Sequence, residues 1–183
     1  MENVSTWVCA LSAMGGDLMT CFIDFETSSY SAGGLPVEVG LATIVDNETR
    51  VWGSLIRPSA HWDINDWNSV FQKIHGIEFE DLQEAPVPAD VVDQLLTRME
   101  PYDYTAYARQ PETASRLVEL LLPEHTSYQK IKVVSIGDLL INRGLAVPNL
   151  ERINRYFQRT QNAPRAELRA AALAFAFKSG GGS

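Results

Sequence analysis

The stretch CFIDFETS, at residues 21–28, decides the fold and contains the main candidate site. Its apolar side chains predict a buried strand that carries two acids, Asp24 and Glu26. Because alternate side chains of a strand point to the same face, these two acids project together, and Ile23 and Phe25 face the opposite layer. Two carboxylates held this close repel each other and are costly to desolvate. We therefore expect a positive group between them, either a hard cation such as magnesium or an arginine.

The composition around this strand indicates one ordinary globular domain. The chain has 183 residues, of which 45% are hydrophobic and 21% charged, and this excludes a disordered protein. Cys9 and Cys21 are too few for a disulfide framework and lack metal-ligand spacing, so we expect a reducing compartment, the cytoplasm. No apolar run is long enough to span a bilayer, and no membrane partner is expected.

The two ends of the chain are set apart from the predicted domain, which covers residues 20–178. Residues 1–19 are treated as a leader of uncertain status, because Met14 and Met19 each precede the first strand and the chain begins without the positive charge of a signal peptide. Residues 179–183, with the sequence SGGGS, are typical of a flexible tail or linker.

The charge of the chain is unevenly distributed. The net charge of −8 argues against tight, non-specific binding to nucleic acid. However, residues 1–100 hold 16 acidic and 4 basic side chains, and residues 101–183 hold 7 acidic and 11 basic ones. Most of the basic excess is arginine. Two interpretations stay open: solvated helix faces, or a phosphate-facing side on the C-terminal half.

The hydrophobic pattern predicts an α/β protein. We expect strands at residues 21–26, 35–45, 50–56, 104–107 and 131–134, with the second and third joined in an antiparallel hairpin. We expect helices at residues 63–71, 88–99, 111–122, 136–141, 149–158 and 164–177, the last with Leu168, Ala171, Ala172 and Phe175 on its apolar face. A hairpin followed by alternating strands and helices predicts a central mixed sheet of five strands with helices on its faces.

Four motifs in order resemble the DEDD superfamily of 3′–5′ exonucleases, the DnaQ-like and RNase T-like group with a ribonuclease H-like fold. They are FIDFET at residues 22–27, PVEVGLA at 36–42, LIRP at 55–58 and IHGI at 74–77. In that family four acidic residues hold two divalent cations, and a histidine acts as general base. The resemblance implies that Asp24 and Glu26 are catalytic residues and metal ligands.

The other motif positions of the family are degenerate in this chain. The aspartate of the second motif falls on Ala114, and the histidine and aspartate of the third fall on Pro164 and Arg169. Glu112 and Glu167 lie two residues away from these positions. A shift of two residues turns a helical side chain by about 200°, so neither glutamate replaces a lost ligand.

The replacement at Arg169 suggests a hypothesis about the paired acids. A guanidinium can bridge two carboxylates, so Arg169 could supply the positive charge that a metal would bring. In the alternative, Arg169 points to solvent, and the acids bind one weak cation or water. His75 is expected in a structural turn. The aromatics Trp62, Trp67, Phe71 and Tyr107 are expected in the core, with base stacking as the alternative.

These observations predict an exonuclease-family protein that acts on or binds single-stranded nucleic acid. Catalysis is expected to be impaired, because two of the four ligand acids remain. The alternatives are an active magnesium-dependent 3′–5′ exonuclease and a non-catalytic protein-interaction scaffold. The expected partner is a DNA or RNA 3′ end, contacted by Thr27, Arg109, Arg165 and Arg169. Magnesium or manganese is the cofactor if one is bound, with no cofactor as the other outcome. A homodimer stays open, because relatives of this fold often dimerise.

Overall fold

The structure, a computed structural model, describes residues 19–31, 33–122 and 131–180. Its five strands are β1 (Thr20–Thr27), β2 (Pro36–Val45), β3 (Glu48–Leu55), β4 (Thr105–Ala108) and β5 (Lys132–Ser135), arranged in the order β3-β2-β1-β4-β5. The pairs β1–β2 and β2–β3 are antiparallel, and β4 is parallel to both β1 and β5. The predicted mixed five-stranded sheet is therefore confirmed.

Six α-helices flank this sheet within the described residues. They are α1 (Ser69–His75), α2 (Pro88–Met99), α3 (Pro111–Leu121), α4 (Ile136–Asn142), α5 (Val147–Thr160) and α6 (Ala166–Ser179). Short 3-10 turns occupy Ile64–Asp66, Glu80–Gln83 and Glu100–Tyr102. In α2 and α3 the first residue is proline, whose missing N–H would be unpaired at that position in any case.

The helix predicted at residues 63–71 is wrong. The chain instead forms the 3-10 turn Ile64–Asp66 and then breaks, and α1 starts at Ser69. The side chain of Asn68 accepts a hydrogen bond from the backbone N–H of Val70 at 2.8 Å. This bond caps the N-terminus of α1 and stops the helix from extending backwards.

The hairpin between β2 and β3 is closed by Asp46 and Asn47. Both residues have positive φ angles, 50° and 61°. Aspartate and asparagine tolerate this left-handed conformation better than most residues, and a two-residue turn of this kind matches the twist of the strands it joins. The turn places Val45 opposite Glu48 and thereby fixes the register of β2 and β3.

The centre of the sheet, at β1 and β2, is buried on both faces. On one face Ile23 and Phe25 of β1 pack with α2 and α3. On the other face Phe22 packs with α4, α5 and α6, and its ring centroid lies 5.6 Å from that of Phe177. Asp24 and Glu26 share the face of Phe22, as alternation along the strand predicts. The two acids therefore lie beneath α6.

The apolar face predicted for the last helix is wrong in part. Ala172 is buried as predicted, but Leu168 and Phe175 are 49% and 55% exposed, and the helix also buries Ala170, Leu173 and Phe177. Alanine and other apolar residues occur on most sides of this helix, so its sequence pattern did not single out one face. The helix also begins at Ala166 rather than Pro164, because the backbone of Arg165 is extended.

The structure describes only part of the predicted leader and of the predicted tail. The helix α6 includes Ser179, the first residue of the predicted tail, and the rest of that tail from residue 181 lies outside the described residues. The predicted leader, apart from Met19, also lies outside them. Among the helices of the described residues, none is both long and apolar enough to cross a membrane.

Candidate functional site

The strand β1 places Asp24 and Glu26 near its C-terminal end. Their side chains are 21% and 8% exposed. In the antiparallel register Asp24 lies opposite Gly40, and Glu26 lies opposite Glu38. Three acids therefore occupy one face of two adjacent strands, in a place where burial makes unpaired negative charge unfavourable.

Arg169 of α6 bridges the two acids of β1. Its Nε and Nη2 atoms donate to Oδ1 of Asp24 at 3.2 and 3.1 Å, and Nη1 donates to Oε1 of Glu26. Nη2 also donates to the carbonyl of Phe25 at 2.6 Å, and Nη1 to the carbonyl of Ala163 at 3.0 Å. The hypothesis of an arginine bridge is confirmed, and the guanidinium fills the space between the two carboxylates.

The burial of this group changes the pKa of two of its members. Burial raises the pKa of Glu26 above its usual value, and the attraction of Arg169 offsets only part of that effect. For Arg169, burial by itself would lower the pKa. The charges of Asp24 and Glu26, with the hydrogen bonds they accept, outweigh burial and raise the pKa of the guanidinium. Arg169 therefore remains a fixed positive charge in the site.

A second ion pair lies beside the first. Glu38 is fully buried on β2, and its Oε1 atom accepts hydrogen bonds from Nε of Arg165, at 2.7 Å, and from Nη2. Its Oε2 atom accepts from the backbone N–H of Ala166 at 2.8 Å, which caps the start of α6. The hydrogen bond to Glu38 raises the pKa of Arg165. The two arginines, one directly before α6 and one in its first turn, thus tie α6 to three strand acids.

The close approach of α6 to the sheet depends on Gly40. A Cβ atom at this position would overlap the backbone of Ala166 and Glu167. Glycine therefore permits backbone contact between β2 and the first turn of α6. Without this contact Arg169 would stand farther from the acids that it bonds.

A pocket of about 380 Å³ opens beside the bridged acids. Its floor contains Asp24, Glu26 and Arg169. The rest of its lining includes the apolar or aromatic side chains of Tyr30, Phe71 and Ile74 and a set of polar side chains: Arg109, Gln110, Thr113, Arg116, Gln161 and Asn162. Such a volume, with an aromatic wall and a few polar groups, is typical of a small-ligand site.

Two of the three degenerate motif positions, Ala114 and Pro164, contribute no polar group to this pocket. Ala114 is 5% exposed and lines the pocket at the position predicted for a ligand aspartate. Pro164 is exposed and lies before the start of α6. Glu112 is exposed on α3, and Glu167 packs over Gly53, so neither of these glutamates lines the pocket.

The donor set does not fit the divalent-metal centre that the resemblance implies. Magnesium takes about six oxygen ligands, but the two carboxylates that face the pocket floor are both bonded to a guanidinium. A cation placed between them would meet the positive charge of Arg169. Within the residues that the structure describes, no three acidic, histidine or cysteine side chains are grouped in a way that could hold a metal ion.

The four predicted nucleic-acid contacts occupy two different settings. Thr27 and Arg109 line the pocket. Arg165 and Arg169 are bonded to protein carboxylates, which reduces their capacity to bind phosphate. Contact with nucleic acid stays a prediction for all four residues, and it is favoured most by the positions of Thr27 and Arg109.

His75 and the predicted core aromatics have the packing roles expected of them. His75 is 3% exposed, and its Nδ1 atom accepts from the backbone N–H of Ile77 at 3.0 Å. Burial lowers the pKa of this histidine, which lies outside the pocket lining. Trp62, Trp67 and Tyr107 pack against the hydrophobic clusters, and Phe71 both packs and lines the pocket.

Several pocket residues were not found by sequence reasoning. Tyr30 is 85% exposed at the pocket, and its ring meets that of Phe71 edge-on. Arg116 also lines the pocket and donates to the carbonyl of Gly34 at 2.8 Å. Tyr30 lies in an irregular loop without periodicity, and Arg116 lies within a helix whose apolar pattern concerns other residues. No local signal marked either one as part of a site.

Comparison with solved structures identifies the architecture. A full-length 3′-exonuclease superimposes with a TM-score of 0.63 over 88% of this chain and 60% of its own, at 11% identity. The nuclease domain of 3′hExo, a DEDDh family member bound to rAMP, gives a TM-score of 0.61 over 89% and 90%, at 13% identity. The chain has the fold of the DEDD 3′–5′ exonucleases.

A more distant match is Exonuclease I of E. coli in complex with a dA16 oligonucleotide, with a TM-score of 0.57 and 12% identity. It aligns with 88% of this chain and 41% of its own. The chain thus spans about 60% of the length of the full-length 3′-exonuclease and less of Exonuclease I. No protein-family model and no curated protein matches it. At these identities the likeness establishes the exonuclease fold.

Proposed function

We propose that this protein binds the 3′ end of single-stranded nucleic acid in its exonuclease-like pocket without cleaving it. The observation that carries the proposal is the bridge from Arg169 to Asp24 and Glu26. This bridge replaces an exchangeable cation by a fixed guanidinium. It supplies one positive charge to the two carboxylates of the floor but removes the open coordination positions that phosphodiester hydrolysis requires.

The lost motif positions support the absence of cleavage. In the resembling family the reaction needs four acids and a histidine base, and this chain presents Ala114, Pro164 and Arg169 at the three remaining positions. A base must lie within hydrogen-bond reach of the water it activates. His75 is buried away from the pocket lining, so it does not supply that base.

The pocket retains features that suit a nucleotide. Tyr30 and Phe71 offer aromatic surface to a base, and stacking of this kind tolerates any sequence. Arg109 and Arg116, in the same pocket lining, offer guanidinium groups for phosphate. The fold neighbours also support this choice, since one is bound to rAMP, one to dA16, and another is described in 3′-end specific recognition of a histone mRNA stem-loop.

A direct experiment separates binding from cleavage. Purified protein is mixed with 5′-labelled single strands of DNA and RNA in magnesium, manganese or EDTA, and anisotropy and strand length are followed in parallel. We expect binding that weakens with added salt in all three conditions, and no shortening of the strand. Release of mononucleotides by the wild-type protein, abolished by Asp24→Ala, would overturn the proposal in favour of an active exonuclease. Failure to bind any strand would favour a protein-interaction scaffold.

A restoration series tests the physical cause. The variant Ala114→Asp/Pro164→His/Arg169→Asp places an acid or a histidine at each degenerate position. Its matched control is Ala114→Asp/Pro164→His, which keeps Arg169 in place. We expect calorimetry to detect Mn²⁺ binding by the triple variant and none by the control. Equal Mn²⁺ binding by both proteins would contradict the claim that Arg169 occupies the cation position.

A further inference from the structure

The helix α5 carries three arginines on one side. Arg152, Arg155 and Arg159 are all exposed, and at 100° per residue they fall within a sector of about 60°. The centre of this sector lies roughly 150° from the buried Ile153 and Phe157. The arginine stripe, defined here as these three residues, therefore faces away from the protein core.

The stripe leads to the pocket described above. Gln161 and Asn162, directly after the end of α5, line that pocket. Arg109 of the pocket wall donates to the carbonyl of Phe157 at 3.3 Å, so it also touches α5. At the other end of α5, Arg152 donates to the carbonyl of Ser179 at the end of α6. The stripe thus starts beside the pocket at Arg159 and runs away from it toward Arg152.

Within the described residues, no arginine of the stripe is paired with an acid. Among the described residues, ion pairs join Arg165 to Glu38 and Arg169 to Asp24 and Glu26, whereas Arg155 and Arg159 take part in none. Glu151 is the acid within α5, one turn before Arg155, and no ion pair forms between them. In a chain with a net charge of −8, this exposed basic surface stands out.

We infer that the arginine stripe binds the phosphodiester backbone of the strand whose 3′ end enters the pocket. This inference rests on the function proposed above and adds a second contact region, outside the pocket. Seven residues of helix span about 10 Å, which corresponds to roughly three nucleotides at about 3.4 Å each in a stacked strand. The stripe would therefore hold the nucleotides that precede the two in the pocket, through Arg159 first and Arg155 next.

The test uses Arg155→Gln/Arg159→Gln and strands of two lengths. Glutamine keeps the helix propensity and removes the charge. For a strand of about ten nucleotides, loss of two phosphate contacts lowers the slope of log affinity against log salt by about 1.4. Between about 50 and 200 mM salt, wild-type affinity then falls roughly 7-fold more than that of the variant. A dinucleotide, which fills only the pocket, binds both proteins equally.

The matched control is the variant Arg50→Gln/Lys132→Gln. It removes two exposed positive charges from β3 and β5 and leaves α5 and the pocket unchanged. We expect its salt slope to equal that of the wild type. If the stripe variant and this control have the same slope, the stripe does not bind the strand, although the proposed pocket function still holds. If the wild-type protein binds neither the dinucleotide nor the longer strand, the proposed function itself fails.

Discussion

Replacing Arg169 by methionine is the most informative single change. Methionine keeps much of the apolar stem but removes the charge that Asp24 and Glu26 share. Removing one partner of a buried ion pair typically costs about 3–5 kcal/mol. The two carboxylates are 21% and 8% exposed, so partial hydration reduces the effect, and we expect a loss of about 3 kcal/mol in the free energy of unfolding.

This loss can be measured by urea unfolding, with tryptophan fluorescence and circular dichroism as independent probes. With a slope of about 2 kcal/mol per molar urea, the midpoint should fall by about 1.5 M. Arg116→Met is the matched control, because Arg116 also lines the pocket but donates only to a backbone carbonyl. Its expected loss is about 1 kcal/mol. A loss below about 1 kcal/mol for Arg169→Met would show that its ion pairs behave like solvent-exposed ones, and the reasoning would be wrong.

The same variant also tests whether the guanidinium replaces a cation. Without Arg169, the two acids repel each other and form a weak site for a divalent ion. If that site binds with a dissociation constant on the order of 1 mM, about 10 mM magnesium stabilises the variant by about 1.4 kcal/mol. The wild type and Arg116→Met should gain nothing comparable. An equal response of all three proteins to magnesium would refute the replacement.

Three further predictions concern groups around the site. Because burial raises the pKa of Glu26, the folded state holds this proton more tightly than the unfolded state, and the contribution of Glu26 to stability falls as pH rises above about 4.5. The unfolding free energy of the wild type relative to Glu26→Gln should therefore decrease between pH 4.5 and neutrality, and a flat difference would contradict this shift. Burial raises the pKa of the Cys21 thiol to about 12. In a Cys9→Ser variant, a thiol reagent at mildly alkaline pH should therefore label the protein only when it unfolds. Rapid labelling of the native protein would argue against the burial of Cys21. Gly40→Ala should displace the start of α6 and lower the free energy of unfolding by more than about 1 kcal/mol. The control Gly137→Ala on α4 should leave the free energy of unfolding nearly unchanged. Equal effects of the two substitutions would argue against the close backbone contact at Gly40.

The local sequence pattern predicted much of the fold, because the direction of a strand side chain and the start of a helix depend on neighbouring residues. Alternation along β1 placed Asp24 and Glu26 on one face, and Pro88 marked the start of α2. The same local reasoning misjudged α6, where alanines on most sides left the direction of the core unspecified. Local reasoning also predicted a helix that runs through Asn68. The hydrogen bond by which the Asn68 side chain caps α1 is seen only in the folded structure.

The candidate site likewise has one part that the sequence predicted and one part that only the structure revealed. A pair of close acids, together with an arginine at a position that the family resemblance marks as a former ligand, was enough to suggest a bridge. Glu38, by contrast, was only part of a strand motif in the sequence. Its role as partner of Arg165, 127 residues away, became visible when the first turn of α6 was seen beside β2. The same holds for Tyr30, which reaches the pocket from a loop without any pattern.

The sequence by itself determined which acids share a face and which half of the chain carries the arginines, and with the family resemblance it showed which motif positions lack their acid or histidine. The tertiary structure alone decided that Glu38 neutralises Arg165 and that Arg155 and Arg159 remain exposed. The physical reason is that Arg165 and Glu38 are 127 residues apart, and only the crossing of α6 over the sheet brings their charges within hydrogen-bond distance. Periodicity encodes the direction of a side chain from its own strand or helix, but a charge acquires its partner only through packing between distant segments.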